Sequence, residues 1–214
     1  MSALPLSGHG RNIGPPRLLF LPGIGADPMF WRPLGDRLPD YWEKVYFGWP
    51  GLGHQPAEPA VKGWSDLVAM VEAKLDDDRA VDLLAQSMGG AIAVQIALKH
   101  PARVRRIVLS VTAGGLDVAS LGGIDWRPAY RREYPNAAAW IDEVRLDYTS
   151  ELHRITHPTL LLWGDSDPIS PVAVGARLLS LLPNARLHVV PGGEHDLVQA
   201  RADAIADTVR AHLS

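Results

Sequence analysis

The stretch Val81-Asp-Leu-Leu-Ala-Gln-Ser-Met-Gly-Gly90 decides how this chain is read. A run of largely apolar residues ends at Gln86, and Ser87 then leads through Met88 and two glycines into an alanine-rich stretch with helical spacing. A serine on a sharp strand-to-helix turn sits in strained backbone, and small residues two before and two after it let strand and helix approach. Ala85 and Gly89 fill those positions, with alanine standing where glycine is usual. The pattern is that of a nucleophile elbow, with Ser87 as the candidate nucleophile. Taken alone, the five residues fit an ordinary strand-to-helix loop equally well.

Outward from this turn, short aliphatic runs alternate with longer stretches of helical period, which predicts an α/β fold with a mostly parallel sheet wrapped by helices. The expected strands are 17–21, 44–47, 81–86, 106–111, 159–163 and 186–190, about six in all. Most are nearly continuous in apolar residues, as strands covered on both faces are. The expected helices are 29–38, 64–75, 89–99, 172–182 and 197–212. Pro101 stops the third, Pro171 opens the fourth and Pro183 ends it, through the missing N–H and fixed φ of proline. Between the fourth and fifth strands, 112–157 breaks the alternation with Gly114-Gly115, Gly122-Gly123 and a cluster of aromatic residues. Loops beyond about 12 to 15 residues are uncommon in compact domains and usually functional. The segment therefore reads as a short helical lid, with turns of helix at 137–144 and 148–153, inserted into a single domain spanning 1–214.

Composition narrows the class. The 214 residues are 47% hydrophobic and 21% charged, with no cysteine and a net charge of −3. These values are ordinary for a soluble globular chain and exclude collagen, coiled coil and disorder. The apolar runs fall short of the roughly 18 residues a membrane-spanning helix needs. The first ten residues lack the basic and apolar regions of a secretory signal. Without cysteine there are no disulfides, thiolate nucleophiles or thiolate metal sites, which suits a cytoplasmic protein. With no basic cluster longer than Arg103-Val-Arg-Arg106, nucleic acid is not an expected partner, nor is a membrane.

A serine hydroxyl attacks only when a base takes its proton and a third group orients that base. Among eight histidines, His9 is terminal, His100 and His212 lie at helix ends, His188 is in a strand, and His153 and His157 flank the end of the lid. His195 follows the last strand in Pro191-Gly-Gly-Glu-His-Asp196, where a side chain reaches over the carboxyl edge of the sheet. The fifth strand runs into Gly164-Asp-Ser-Asp-Pro168, offering Asp165 and Asp167. Asp167 is the expected acid and Asp165 the brace of the turn. The order Ser87, Asp167, His195 matches one of the three common serine-hydrolase orders.

With these three loops the chain resembles the α/β-hydrolase superfamily from about Arg17 to His212. The resemblance implies an oxyanion hole built from the backbone N–H of Met88 and of Ile24, the latter in Leu21-Pro-Gly-Ile-Gly-Ala-Asp27, where Pro22 replaces the family's usual histidine. Trp49-Pro-Gly-Leu-Gly-His54 resembles a structural family loop, with His54 where serine is common. His54 either faces solvent or lines the pocket. Some relatives place the acid after the fourth strand, which makes Asp117 the alternative to Asp167.

The expected activity is hydrolysis of small or medium carboxylic esters through an acyl-enzyme, with no cofactor and a small ester as partner. Thioester or lactone hydrolysis, acyl transfer, perhydrolysis and lyase chemistry use the same residues, and a non-catalytic binding protein of this fold is the rival from another class. Trp31, Trp126, Tyr130 and Trp140 are the candidate pocket walls, or else pack the lid onto the domain. No metal is expected: His153 and His157 stand four apart, but Pro158 disfavours helix at His157 and no glutamate lies between them.

Overall fold

The computed structural model describes residues 15–75 and 79–214. The reading of the first ten residues, His9 included, lies outside them. Six strands form one sheet in the order β2-β1-β3-β4-β5-β6. They are β1 (Arg17–Leu21), β2 (Glu43–Tyr46), β3 (Val81–Gln86), β4 (Val104–Ser110), β5 (Thr159–Gly164) and β6 (Ala185–Val190). Every pairing is parallel. β3 and β5 are buried along their whole length, whereas the edge strands β2 and β6 are half-buried or exposed at most positions. The near-continuous apolarity of the inner strands thus reflects coverage on both faces.

The helices are α1 (Arg32–Gly35), α2 (Trp64–Glu72), α3 (Met88–Lys99), α4 (Arg127–Glu133), α5 (Val172–Leu181), α6 (Leu197–Ala200) and α7 (Ala202–Leu213). Right-handed crossovers place α2, α3 and α5 on one face and α1 on the other. Consistent with this, α2 packs on α3, and α1 packs on α6 and α7. The strand order reverses between β1 and β3, so the loops leaving these two strands diverge and open a crevice at their carboxyl ends.

Three elements differ from the sequence reading. The first expected helix shrinks to the four residues of α1, flanked by turns on both sides. The last is broken at Arg201, which leaves helical geometry with φ −116° and ψ 26°. The segment between β4 and β5 holds α4, which was not expected, while the two expected helices there are short 3-10 turns at Ala139–Glu143 and Leu152–Arg154. α4 starts where the Asp125 carboxylate accepts the Arg127 N–H and Pro128 stands in the first turn. Among the described residues, no helix is long and apolar enough to cross a membrane.

Candidate active site

Ser87 sits between β3 and α3 with φ 50° and ψ −121°. A non-glycine residue at positive φ carries strain of about 1–3 kcal/mol, sustained only where the surroundings over-determine it. Here they do. The Ser87 N–H donates to the Ser110 carbonyl at 3.1 Å, and the Thr112 hydroxyl donates to the Ser87 carbonyl. The start of α3 and the carboxyl end of β1 meet closely because Gly89 has no side chain: a Cβ there would stand 2.5 Å from the Leu21 carbonyl oxygen and 2.6 Å from that of Pro22.

Ser87, Asp167 and His195 come together in one line. His195 Nε2 lies 2.9 Å from Ser87 Oγ, and His195 Nδ1 lies 2.7 Å from Asp167 Oδ2. With Nδ1 donating to the carboxylate, Nε2 is left to accept the serine proton. The Asp167 side chain is fully buried, and its Oδ1 accepts the N–H groups of Ile169 at 2.8 Å and Ser170 at 3.2 Å. These contacts hold the carboxylate in one orientation. Asp165 braces the adjoining loop by accepting the Gly192 N–H at 2.7 Å. Asp117 is exposed and caps a local turn through the Ala119 N–H at 3.1 Å.

Met88 is the first residue of α3, so its N–H has no acceptor within the helix and belongs to the positive end of the helix dipole. Ile24 lies in a turn closed by the Ala26 N–H on the Gly23 carbonyl at 3.0 Å. It lines a cavity of about 180 Å³ together with Phe30, Gln86, Ser87 and His195. The arrangement can take a proton from Ser87 and orient the imidazole beside a small, partly apolar cavity.

None of Trp31, Trp126, Tyr130 and Trp140 lines this cavity. Trp31 is buried, and its indole N–H donates to the Leu21 carbonyl at 3.1 Å, while Trp49 does the same to the Pro22 carbonyl at 2.9 Å. Both indoles therefore pin the strand end from which the Ile24 loop departs. The Tyr130 hydroxyl accepts the Gly53 N–H at 2.9 Å, Trp126 packs edge-on against Tyr130 at 5.6 Å, and Trp140 is half-buried against the core. These aromatics fasten the inserted segment to the sheet domain.

Sequence reasoning missed Phe30, Gln86 and Thr112. Gln86 is buried, lines the cavity, and donates its side-chain amide to the His195 carbonyl at 3.0 Å. Its position beside Ser87 was the available signal. Thr112 carried none, since only the sheet register brings it behind the turn. His153 and His157 do not share a helix: His153 is exposed, and His157 Nε2 bonds the Pro101 carbonyl at 2.8 Å. Among the described residues no group of three or more His, Asp or Glu is arranged to hold a metal ion.

A family model described as alpha/beta hydrolase fold matches residues 16–145 and 121–198. The chain is 28% identical to the poly(3-hydroxyalkanoate) depolymerase of Ectopseudomonas oleovorans, over 92% of this chain and 83% of that protein. It is 27% identical to a pimeloyl-[acyl-carrier protein] methyl ester esterase of Neisseria meningitidis serogroup C, over 91% and 92%. Among solved structures, an alpha/beta hydrolase enzyme from the sediment metagenome of the Mar Chica lagoon, Morocco, superimposes with a TM-score of 0.76 at 17% identity, covering 92% of this chain and 90% of that one. The chain belongs to the α/β-hydrolase fold family.

Proposed function

We propose that the protein is a serine hydrolase that cleaves carboxylic esters of small or medium size through an acyl-enzyme intermediate. The observation that carries this reading is the continuous line from Asp167 through His195 to Ser87 Oγ, at 2.7 and 2.9 Å, ending at the cavity. In this reading Ser87 Oγ attacks the ester carbonyl carbon as its proton passes to His195 Nε2. The carbonyl oxygen becomes an oxyanion held by the N–H groups of Met88 and Ile24. Collapse expels the alcohol, which takes the proton from His195, and leaves the acyl group on Ser87. Water, deprotonated by His195, then releases the acid and restores the serine. Asp167 stays ionised throughout and stabilises the imidazolium.

Membership of a hydrolase family and similarity to a protein named as a methyl ester esterase support the ester chemistry. The segment between β4 and β5 acts in this reading as a lid, carried by α4 over the carboxyl edge of the sheet. Mixing the protein with p-nitrophenyl butyrate, quenching in acid and measuring the mass of the Ser87 peptide tests the intermediate. A butyryl adduct on Ser87 is the expected result. Turnover with no adduct, and no burst of p-nitrophenolate, would replace the acyl-enzyme with direct attack by water.

A further inference from the structure

A second hollow of about 490 Å³, larger than the Ser87 cavity, takes no part in the steps above. One wall is His54, Gln55 and Ala57, and the other is Tyr134, Asn136 and Ala138 from the inserted segment. Two hydrogen bonds fix the walls relative to each other: the Ala138 N–H donates to the Gly51 carbonyl at 2.8 Å, and the Gly53 N–H to the Tyr130 hydroxyl at 2.9 Å. The hollow is therefore framed by fastened backbone.

It also abuts the Ser87 cavity. Gly53 lines the hollow and Gly25 lines the cavity, and the two backbones touch so closely that a Cβ on Gly53 would stand 1.9 Å from the Gly25 carbonyl oxygen. Gly53 adopts φ +53°, which also favours glycine there. Tyr134 lines the hollow, and Asp27 lines the cavity close enough to add to the upward push on the Tyr134 phenol, which burial and the Glu133 carboxylate raise to about 12. That contact is a ridge of backbone between the two spaces, and a ligand limb leaving Ser87 past Ile24 and Gly25 would enter the hollow by passing over it.

The chemistry of the walls is specific. Gln55 and Asn136 offer side-chain amides, and His54 offers an imidazole, its ring edge-on to Tyr134 at 4.8 Å. Ala57 and Ala138 keep space open. Among the described residues no lysine or arginine lines the hollow, whereas the Glu133 carboxylate does. An anionic limb meets like charge there, and a purely apolar limb strips water from amide groups without replacing its hydrogen bonds.

We propose that this hollow is an outer subsite for the distal limb of the ester, selective for a neutral limb bearing ether, ester, amide or hydroxyl groups. The assignment rests on the ester-hydrolase reading of Ser87. It is tested with p-nitrophenyl methoxyacetate, its homologue lengthened by two ethylene-glycol units, and two esters of matching length, one ending in a methyl group and one in a carboxylate. Asn136→Trp and Ala57→Trp place bulk in the hollow from exposed positions on opposite walls. Either variant is expected to lower kcat/KM for the lengthened ether ester about tenfold while leaving the methoxyacetate within about twofold, and the wild type is expected to prefer the ether limb to the carboxylate limb by about tenfold or more. A parallel fall for short and long esters, unchanged values for both, or preference for the carboxylate or methyl-ended limb overturns the subsite. A wild type that turns over none of the four esters overturns instead the hydrolase reading on which it rests.

Discussion

Gln86, the residue before the candidate nucleophile, donates its side-chain amide to the backbone carbonyl of His195 at 3.0 Å. The strand that leads into Ser87 thereby holds the loop that carries His195. Losing a buried hydrogen bond of this kind costs about 1–3 kcal/mol. Gln86→Ala is therefore expected to lower kcat about 10- to 100-fold with little change in KM. Gln86→Glu, which places a carboxylate against a carbonyl, is expected not to restore it. Steady-state kinetics on a short ester checks both. A Gln86→Ala enzyme with normal kcat would show that the His195 loop is held without it.

Asp167 and Asp117 are separated by their surroundings. Asp167 is buried and bonded to His195 Nδ1 at 2.7 Å, whereas Asp117 caps an exposed turn. Asp167→Asn is expected to reduce kcat by about 10³- to 10⁴-fold, because the amide no longer fixes the imidazole tautomer. Asp117→Asn should stay within about twofold of wild type, since it changes only the charge of an exposed cap and keeps an oxygen to accept the Ala119 N–H. Comparing the two variants by ester hydrolysis decides the assignment, and the reverse pattern would move the acid to Asp117.

Gly89→Ala tests the packing of the turn. The added methyl would meet the backbone oxygens of Leu21 and Pro22 at 2.5 and 2.6 Å, and neither can swing aside as a side chain does. Overpacking of this sort costs about 1–3 kcal/mol. The variant is expected to unfold at lower urea concentration and, because Leu21 and Pro22 lead into the Ile24 loop, to lose ester hydrolysis disproportionately. An unchanged urea midpoint would contradict the close approach.

His212 gives stability a defined pH dependence. Burial pushes its imidazole down from 6.5 to about 4, with Arg186, Arg106 and Arg105 acting in the same direction and the Ile107 carbonyl, 3.0 Å from Nε2, opposing them. The native state therefore keeps the ring neutral where the unfolded chain protonates it. This contribution is complete above 6.5 and declines as the pH falls towards about 4. Between about pH 7.5 and about pH 5 it amounts to roughly 2 kcal/mol. Urea midpoints across that range should fall less steeply in His212→Gln than in wild type, and identical slopes would contradict it.

The sheet was legible because inner strands covered on both faces read as nearly continuous apolar runs, and all six emerge within two residues of expectation. Ser87, Asp167 and His195 were legible because each stands in a loop directly after a strand, and parallel strands place those loops at one edge. The cavity walls were not. Trp31 had the composition of a pocket residue, but its indole N–H is taken by the Leu21 carbonyl, and only the tertiary structure shows which carbonyls need a donor. Gln86 and Phe30 line the cavity instead. The helix α4 was hidden because Asp125 and Pro128 start it within a segment that lacks a clear apolar period.

In the proposed mechanism Ser87 is a nucleophile activated by His195, whose Nε2 stands 2.9 Å from the serine Oγ. Labelling of wild type and Ser87→Ala with a fluorophosphonate, alongside hydrolysis of short and medium p-nitrophenyl esters, tests it most directly. The expected result is rapid labelling and turnover by the wild type, both abolished in Ser87→Ala with the urea midpoint kept. Labelling or hydrolysis that survives in Ser87→Ala, or a folded wild type that shows neither, would contradict it.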